Sequence, residues 1–282
     1  MLTELSVDDF AAMPYLETSA LMKSHGKKLS FSRLKPNVVV GPNGSGKTAL
    51  LDTLAIRFLT FFSSESTLDR RYVLDVDARA WWTKSRKAPY EFAWLKGLAC
   101  ITDNAPALYY RPGHVPGNEP TVADAMMGEY WEQAQEYAKL VEGRSSGEQN
   151  QAVLGKITEA LQDGKLPMRY AYMNWDFGAT ARDITKLDTF VYGNDAYARA
   201  EVLKAIYRPA PNAVPLILMD EPEQSLDVKA EAQLWSYIAK ANCEKMQIIT
   251  ATHSMYPLIH RNSFNLIETE PGFVDEVLEL MA

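Results

Sequence analysis

The sequence predicts an α/β protein built on a mainly parallel sheet, and two stretches carry that prediction. In the first, a β-type run at 38–40 enters the glycine-rich segment 41–46, and residues 48–62 follow with the apolar density of a buried helix. Strand, glycine loop and helix in that order make a phosphate-binding unit. In the second, an apolar strand at 214–219, a helix over 228–242 and another strand at 246–251 alternate. Parallel neighbours need such a crossover between them, so the pattern belongs to a parallel sheet. The chain has 282 residues, 47% apolar and 23% charged, the make-up of a globular protein able to bury a core rather than of a fibrous or disordered one.

Taken in order, the elements are these. Residues 1–10 carry Glu4, Asp8 and Asp9 where a leader peptide would be basic, so the expected location is cytoplasmic. A short β-type run at 29–31 precedes the first unit. From 63 to 144 the texture changes: five of the six tryptophans fall between Trp81 and Trp175, and short strands are expected around 72–76, 90–101 and 107–111. Thr121 opens an amphipathic pattern to residue 141; further helices are expected at 150–162 and 195–207, with 163–193 irregular. The organisation expected is a single domain, 1–282, with a core of about 1–62 and 205–282 and an inserted helical, aromatic-rich lobe of about 63–204.

Several classes are excluded. Cys100 and Cys243 form no CxxC pair, so neither a zinc ribbon nor a disulfide framework is available. The longest apolar runs, 55–62 and 213–219, fall well short of the roughly 20 residues that span a bilayer, and no membrane insertion is expected. With 29 Lys+Arg against 36 Asp+Glu, net −7, the chain as a whole is no electrostatic footprint for nucleic acid; Arg70, Arg71, Lys84, Arg86 and Lys87 form its nearest approach to a basic strip.

Two sites carry chemistry. Gly41, Pro42, Asn43, Gly44, Ser45, Gly46, Lys47 and Thr48 match G-x-x-x-x-G-K-[ST], in which glycines let backbone N–H groups close on phosphates and the following helix adds positive potential. Lys47 reaches the β and γ phosphates, and Thr48 offers its hydroxyl to Mg²⁺. In Asp220, Glu221, Pro222 and Glu223 an apolar strand delivers adjacent carboxylates at its C-terminal end. Asp220 is assigned to the metal and Glu221 to the attacking water.

With both sites in place, the run from Asp220 to Asp227 resembles the Walker B and D-loop of ATP-binding-cassette (ABC) type ATPases. Thr252, His253 and Ser254, directly after the next strand, resemble their switch histidine, and Arg144, Ser145, Ser146, Gly147, Glu148 and Gln149 are similar to their signature loop. The resemblance covers roughly 28–62 and 205–260 plus the signature. It implies a P-loop NTPase fold of ABC-ATPase type, ATP and Mg²⁺ as cofactors, and ATP hydrolysis with Lys47, Glu221 and His253 as catalytic residues. It also implies an ATP-induced, head-to-tail homodimer in which Ser145, Ser146, Gly147 and Glu148 contact the γ-phosphate in trans. A Ser-x-x-Glu run is also a plain helix N-cap with its capping glutamate.

The sequence departs from the family in two places. Signature and Walker B stand about 70 residues apart, farther than in transporter cassettes, and the Q-loop glutamine is missing, with Asp103, Asn104 and His114 as possible stand-ins. Glu223 makes the D-E-P-E form typical of the SMC-like, RecF-like and OLD-like ATPases, here without coiled-coil arms. The function this implies is an ATP-driven dimerising switch in DNA maintenance, repair or phage-related defence, with DNA or a DNA-acting protein as partner. The alternatives are an ATP-binding subunit of a membrane transporter and a non-catalytic ATP-binding interaction protein. Phe31 is the nearest strand aromatic for stacking on adenine, although core packing is its commoner use.

Overall fold

The structure is a computed structural model that describes residues 1–10, 14–58, 61–62, 82–83, 91–92, 97–105, 107–112, 143, 145–164, 210–224 and 226–282. In chain order its elements begin with β1 (Leu2–Val7), α1 (Pro14–Thr18), α2 (Ala20–Ser24), β2 (Lys28–Ser30), β3 (Asn37–Val40) and α3 (Lys47–Phe58). Then come β4 (Phe61–Phe62), β5 (Trp82–Thr83), β6 (Glu91–Phe92), β7 (Leu98–Thr102), β8 (Ala107–Tyr110) and α4 (Ser146–Asp163). The last are β9 (Leu216–Asp220), α5 (Val228–Lys240), β10 (Gln247–Ala251), α6 (Tyr256–Ile259), β11 (Asn265–Glu268) and α7 (Phe273–Met281).

Six strands form one sheet in the order β11-β3-β10-β9-β8-β4, and every pairing in it is parallel. The fold is thus α/β with a parallel sheet. Every residue of β3, β8, β9 and β10 is buried, which is why these strands read as continuous apolar runs: a parallel sheet is covered on both faces. On one face Val39, Leu218, Ile249 and Tyr109 pack with Leu50, Leu51, Leu54 and Phe58 of α3. On the other, Val40, Ile217, Met219 and Ile248 meet Leu154 and Ile157 of α4 and Leu234, Trp235 and Ile238 of α5. A second, antiparallel sheet, β2-β1-β7, adds Leu2, Leu5, Val7 and Leu29 to the first cluster.

Three expectations change. The helix expected over 48–62 ends at Phe58, and Phe61 and Phe62 instead pair in parallel with Leu108 and Tyr109; a short apolar run suits a buried helix or a buried strand equally. Strand β8 falls within the span expected as lobe, yet it joins the main sheet beside β9, and β7 pairs with β1. The helix expected at 150–162 begins earlier, because Ser145 and Glu148 build a capping box at its start, and Gly164 closes it in a left-handed conformation. Phe31 is only 5% exposed and belongs to the core, as its commoner use implied. The expected elements at 72–76, 121–141 and 195–207 lie outside the described residues. Among the described residues no helix is long and apolar enough to cross a membrane.

Register positions the ends of three strands. Ala251 stands opposite Val39 on one side and Asp220 on the other. The segments that follow β3, β9 and β10 therefore leave the same edge of the sheet side by side, the edge where open α/β sheets place their ligands.

Candidate functional site

The loop leaving β3 runs through backbone that only glycine adopts readily, with φ of +153° at Gly41, +73° at Gly44 and +108° at Gly46. Neighbours restrict two of these positions further. A Cβ on Gly41 would stand 1.7 Å from Thr269 Oγ1, and one on Gly46 would stand 2.6 Å from Ser19 Cβ. The N-terminal helices brace the loop: Leu21 N donates to the Ser45 carbonyl at 3.1 Å, and the Tyr15 hydroxyl donates to the Gly44 carbonyl. No sequence pattern pointed to residues 15–21 in this role, since the contacts are long-range.

Asn43 and Gly44 are exposed at the rim of the loop, with Pro42 half-buried behind them. Lys47 is buried, and its Nζ donates to the carbonyls of Gly41 (2.8 Å) and Pro42 (2.9 Å). Burial lowers its pKa, and the carboxylates of Glu221 and Asp220 oppose that shift. Ser45 Oγ is buried with no hydrogen-bond partner among the described residues. Such an orphan beside a ring of backbone N–H groups suits an anion that brings its own acceptors.

Asp220, at the end of β9, divides its two oxygens. Oδ1 accepts from Thr48 Oγ1 at 3.3 Å, while Oδ2 lies 3.4 Å from Arg111 Nε. Burial pushes the Asp220 carboxyl up to about 6, against the pull of Arg111 and Thr48. One turn along α3, Asp52 accepts from the buried Tyr109 hydroxyl at 2.9 Å, and burial raises it to about 6 as well, again opposed by Arg111. Arg111 escaped the sequence reading. Its signal was the one that marked Asp220: a charge placed directly after an apolar strand.

Glu221 adopts a left-handed φ of +46°, unusual for a side chain with a Cβ, and its N–H donates to the Ala251 carbonyl at 2.8 Å. The turn carries its carboxylate to His253, with Oε1 3.4 Å from Nε2. Burial and then the Lys47 charge lower the His253 pKa, Glu221 opposing, so the imidazole is neutral at neutral pH and the contact is polar rather than ionic. Glu223 holds the turn after β10: its Oε1 accepts from the Thr252 hydroxyl and from His253 N. Its Oε2 is buried without a partner among the described residues, and burial pushes its carboxyl up to about 7. Ser254 donates to Glu231 from the same turn. A cavity of about 600 Å³ opens here, lined in part by Glu221, Glu223, Glu231, His253 and Tyr256.

The structure therefore brings Lys47, Thr48, Asp220, Glu221 and His253 together. Ser145 takes no part in those contacts; its Oγ donates to Glu148 Oε2 at 2.8 Å, and the same oxygen accepts from Ser145 N at 2.8 Å. Ser146 and Gly147 form the first turn of α4. Of the stand-ins for the missing glutamine, Asp103 pairs with the Met1 amino group, Asn104 accepts from Arg57 at 3.0 Å, and His114 lies outside the described residues.

No group of three or more His, Cys, Asp and Glu side chains is placed to hold a metal ion among the described residues. Thr48 and Asp220 nevertheless present a close pair of hard oxygen donors. That pair fits Mg²⁺, which takes one or two protein oxygens and completes its shell with phosphate and water. No family model matches the chain, and no curated protein matches it either.

Proposed function

We propose that this chain binds and hydrolyses ATP as an ABC-type ATPase of the SMC-like, RecF-like and OLD-like branch, with the P-loop fold that name implies. The observation that supports this reading most is the row Val39, Ala251 and Asp220. That row gathers a lysine, a hydroxyl, two carboxylates and an imidazole from three separate segments at one edge of the sheet.

The backbone N–H groups from Gly41 to Gly46 and the start of α3 hold the polyphosphate. Lys47 exchanges its loop carbonyls for phosphate oxygens. Thr48 and Asp220 hold Mg²⁺, which when bound neutralises charge on the transferring phosphoryl group. Glu221 orients and deprotonates the attacking water. His253, neutral and within reach of Glu221, donates toward the γ-phosphate. A second copy supplies Ser145, Ser146, Gly147 and Glu148 in trans, so that ATP closes a head-to-tail homodimer. The reading extends to a cytoplasmic switch acting on DNA, or on a DNA-acting protein, in maintenance, repair or phage-related defence.

The test is the solution mass of Glu221→Gln by light scattering, with and without ATP and Mg²⁺, repeated with Ser145→Arg added. A dimer that forms only with ATP and is lost with Ser145→Arg is the expected result. A monomer in every condition overturns the trans arrangement, and nucleotide binding that survives Lys47→Ala overturns the assignment of the loop.

A further inference from the structure

We infer that Arg111 is a charge-compensating residue of this site, neutralising Asp220 from the protein side so that a polyphosphate can enter the glycine loop ahead of the divalent cation. The inference rests on the reading that the loop binds nucleotide.

Three observations carry it. First, Tyr110 stands opposite Met219 in the sheet, so Arg111 and Asp220 leave adjacent strands at the same height. Their contact follows from register and does not need a long side chain to search. Second, the two oxygens of Asp220 are used from opposite sides. Arg111 lies against Oδ2 and Thr48 against Oδ1, which leaves the Thr48 side to a cation while Arg111 stays in place. Third, the site is rich in carboxylates. Asp220 is 3% exposed, Asp52 stands one turn beyond Thr48 on α3, and Glu221 follows Asp220 in the chain. The ammonium of Lys47 is held toward Gly41 and Pro42, on the side of the loop.

A polyanion approaching that arrangement meets Asp220 as a fixed negative charge. A divalent cation would cancel it, but Arg111 already does so in part, from behind the carboxylate and out of the cation's way. The contact is part of the fold, so the compensation is in place before any cation arrives. It makes the order of arrival free: nucleotide first and cation second is allowed, as well as the two together. Arg111 acts here through Asp220, as a positioning residue.

The experiment titrates the full chain with a fluorescent ATP analogue, once in EDTA and once in Mg²⁺. The wild type is compared with Arg111→Ala, Arg111→Lys and Lys47→Ala. One unit charge a few ångströms from the phosphates at a partly solvated site corresponds to a factor of about ten or more in affinity. The wild type is expected to bind in EDTA within about tenfold of its affinity in Mg²⁺. Arg111→Ala should weaken binding in EDTA by about tenfold or more while binding in Mg²⁺ moves by less than about threefold, and Arg111→Lys should restore it. Retained binding in Mg²⁺ also shows that the variant is folded. Equal weakening in both buffers, no weakening in either, or wild-type binding seen only with Mg²⁺ overturns the inference. A wild type that binds in neither buffer, or whose binding is indifferent to Lys47→Ala, sinks the nucleotide reading instead, so the two failures are distinguishable.

Discussion

Asp220 and Glu221 are consecutive carboxylates at the end of one strand, and their surroundings differ in almost every respect. The Asp220 side chain is 3% exposed and lies against an arginine; that of Glu221 is 37% exposed and faces a histidine. Asp220 still has strand pairing, opposite Ala251, whereas Glu221 has turned into the left-handed region. Adjacent residues on a strand point to opposite faces, and the left-handed turn adds to that separation. The pair thus holds one carboxylate fixed inside the protein and presents the other to whatever enters the cavity, which suits a metal holder and a water-orienting base respectively.

The comparison can be broken most forcefully at Glu221. If its carboxylate acts on water, Glu221→Gln should lower ATP hydrolysis by about a hundredfold or more, on the order of 3 kcal/mol in the barrier, with ATP affinity unchanged. Steady-state phosphate release alongside equilibrium nucleotide binding separates the two effects, and turnover at the wild-type rate would remove Glu221 from the mechanism.

Stability should respond in the opposite order. Asp220→Ala leaves Arg111 without this partner and opens a small polar void, at a cost of about 3 kcal/mol. Glu221→Ala, at a half-buried position without a buried ion pair, should stay within about 0.5 kcal/mol. Urea unfolding of both variants decides it; equal losses would mean that the difference in burial carries no energetic weight.

A third carboxylate sharpens the contrast through pH. Burial raises Glu223 to about 7 from an ordinary 4.5, so the folded chain holds this proton more tightly than the unfolded chain does. Its contribution is present in full below about pH 4.5 and is lost as pH rises through about 7, on the order of 3 kcal/mol at most. Asp52 and Asp220, raised to about 6, act with the same sign. Thermal unfolding should therefore show stability falling from pH 5 to pH 8, and Glu223→Gln should flatten that slope. A rise in stability over the same window contradicts the assignment.

A modest effect of opposite sign is expected at the Glu221 backbone. Glu221→Gly removes the left-handed penalty, so the folded chain should gain about 1 kcal/mol even as the carboxylate is lost. A stability loss in that variant would mean that the Glu221 side chain contributes to folding.

Much of this architecture was legible in the residues. Buried parallel strands need continuous apolar runs, and 38–40, 214–219 and 246–251 had them. Glycines at 41, 44 and 46 announced a loop that other residues could not follow, and charges placed just past a strand, Asp220 and Glu221, stood out against it. What stayed hidden depends on partners distant in sequence. The Phe61–Phe62 strand was indistinguishable from the end of a helix until Leu108 and Tyr109 lay beside it. Tyr15 and Ser19 gave no sign of bracing a loop nearly thirty residues later. Asp103 and Asn104, plausible at the site by chemistry, are engaged by Met1 and Arg57 instead.

By itself, then, the sequence determined the alternation of strand and helix, the glycine loop and the chemical identity of Lys47, Thr48, Asp220, Glu221 and His253, because those are properties of single residues and short periods. Only the tertiary structure decided that β10 lies between β3 and β9, that Arg111 rather than Asp103 or Asn104 stands beside Asp220, and that Glu223 holds the His253 turn. Register and burial are set by contacts between segments from about thirty to more than two hundred residues apart, and no local pattern encodes which of several suitable charges will meet.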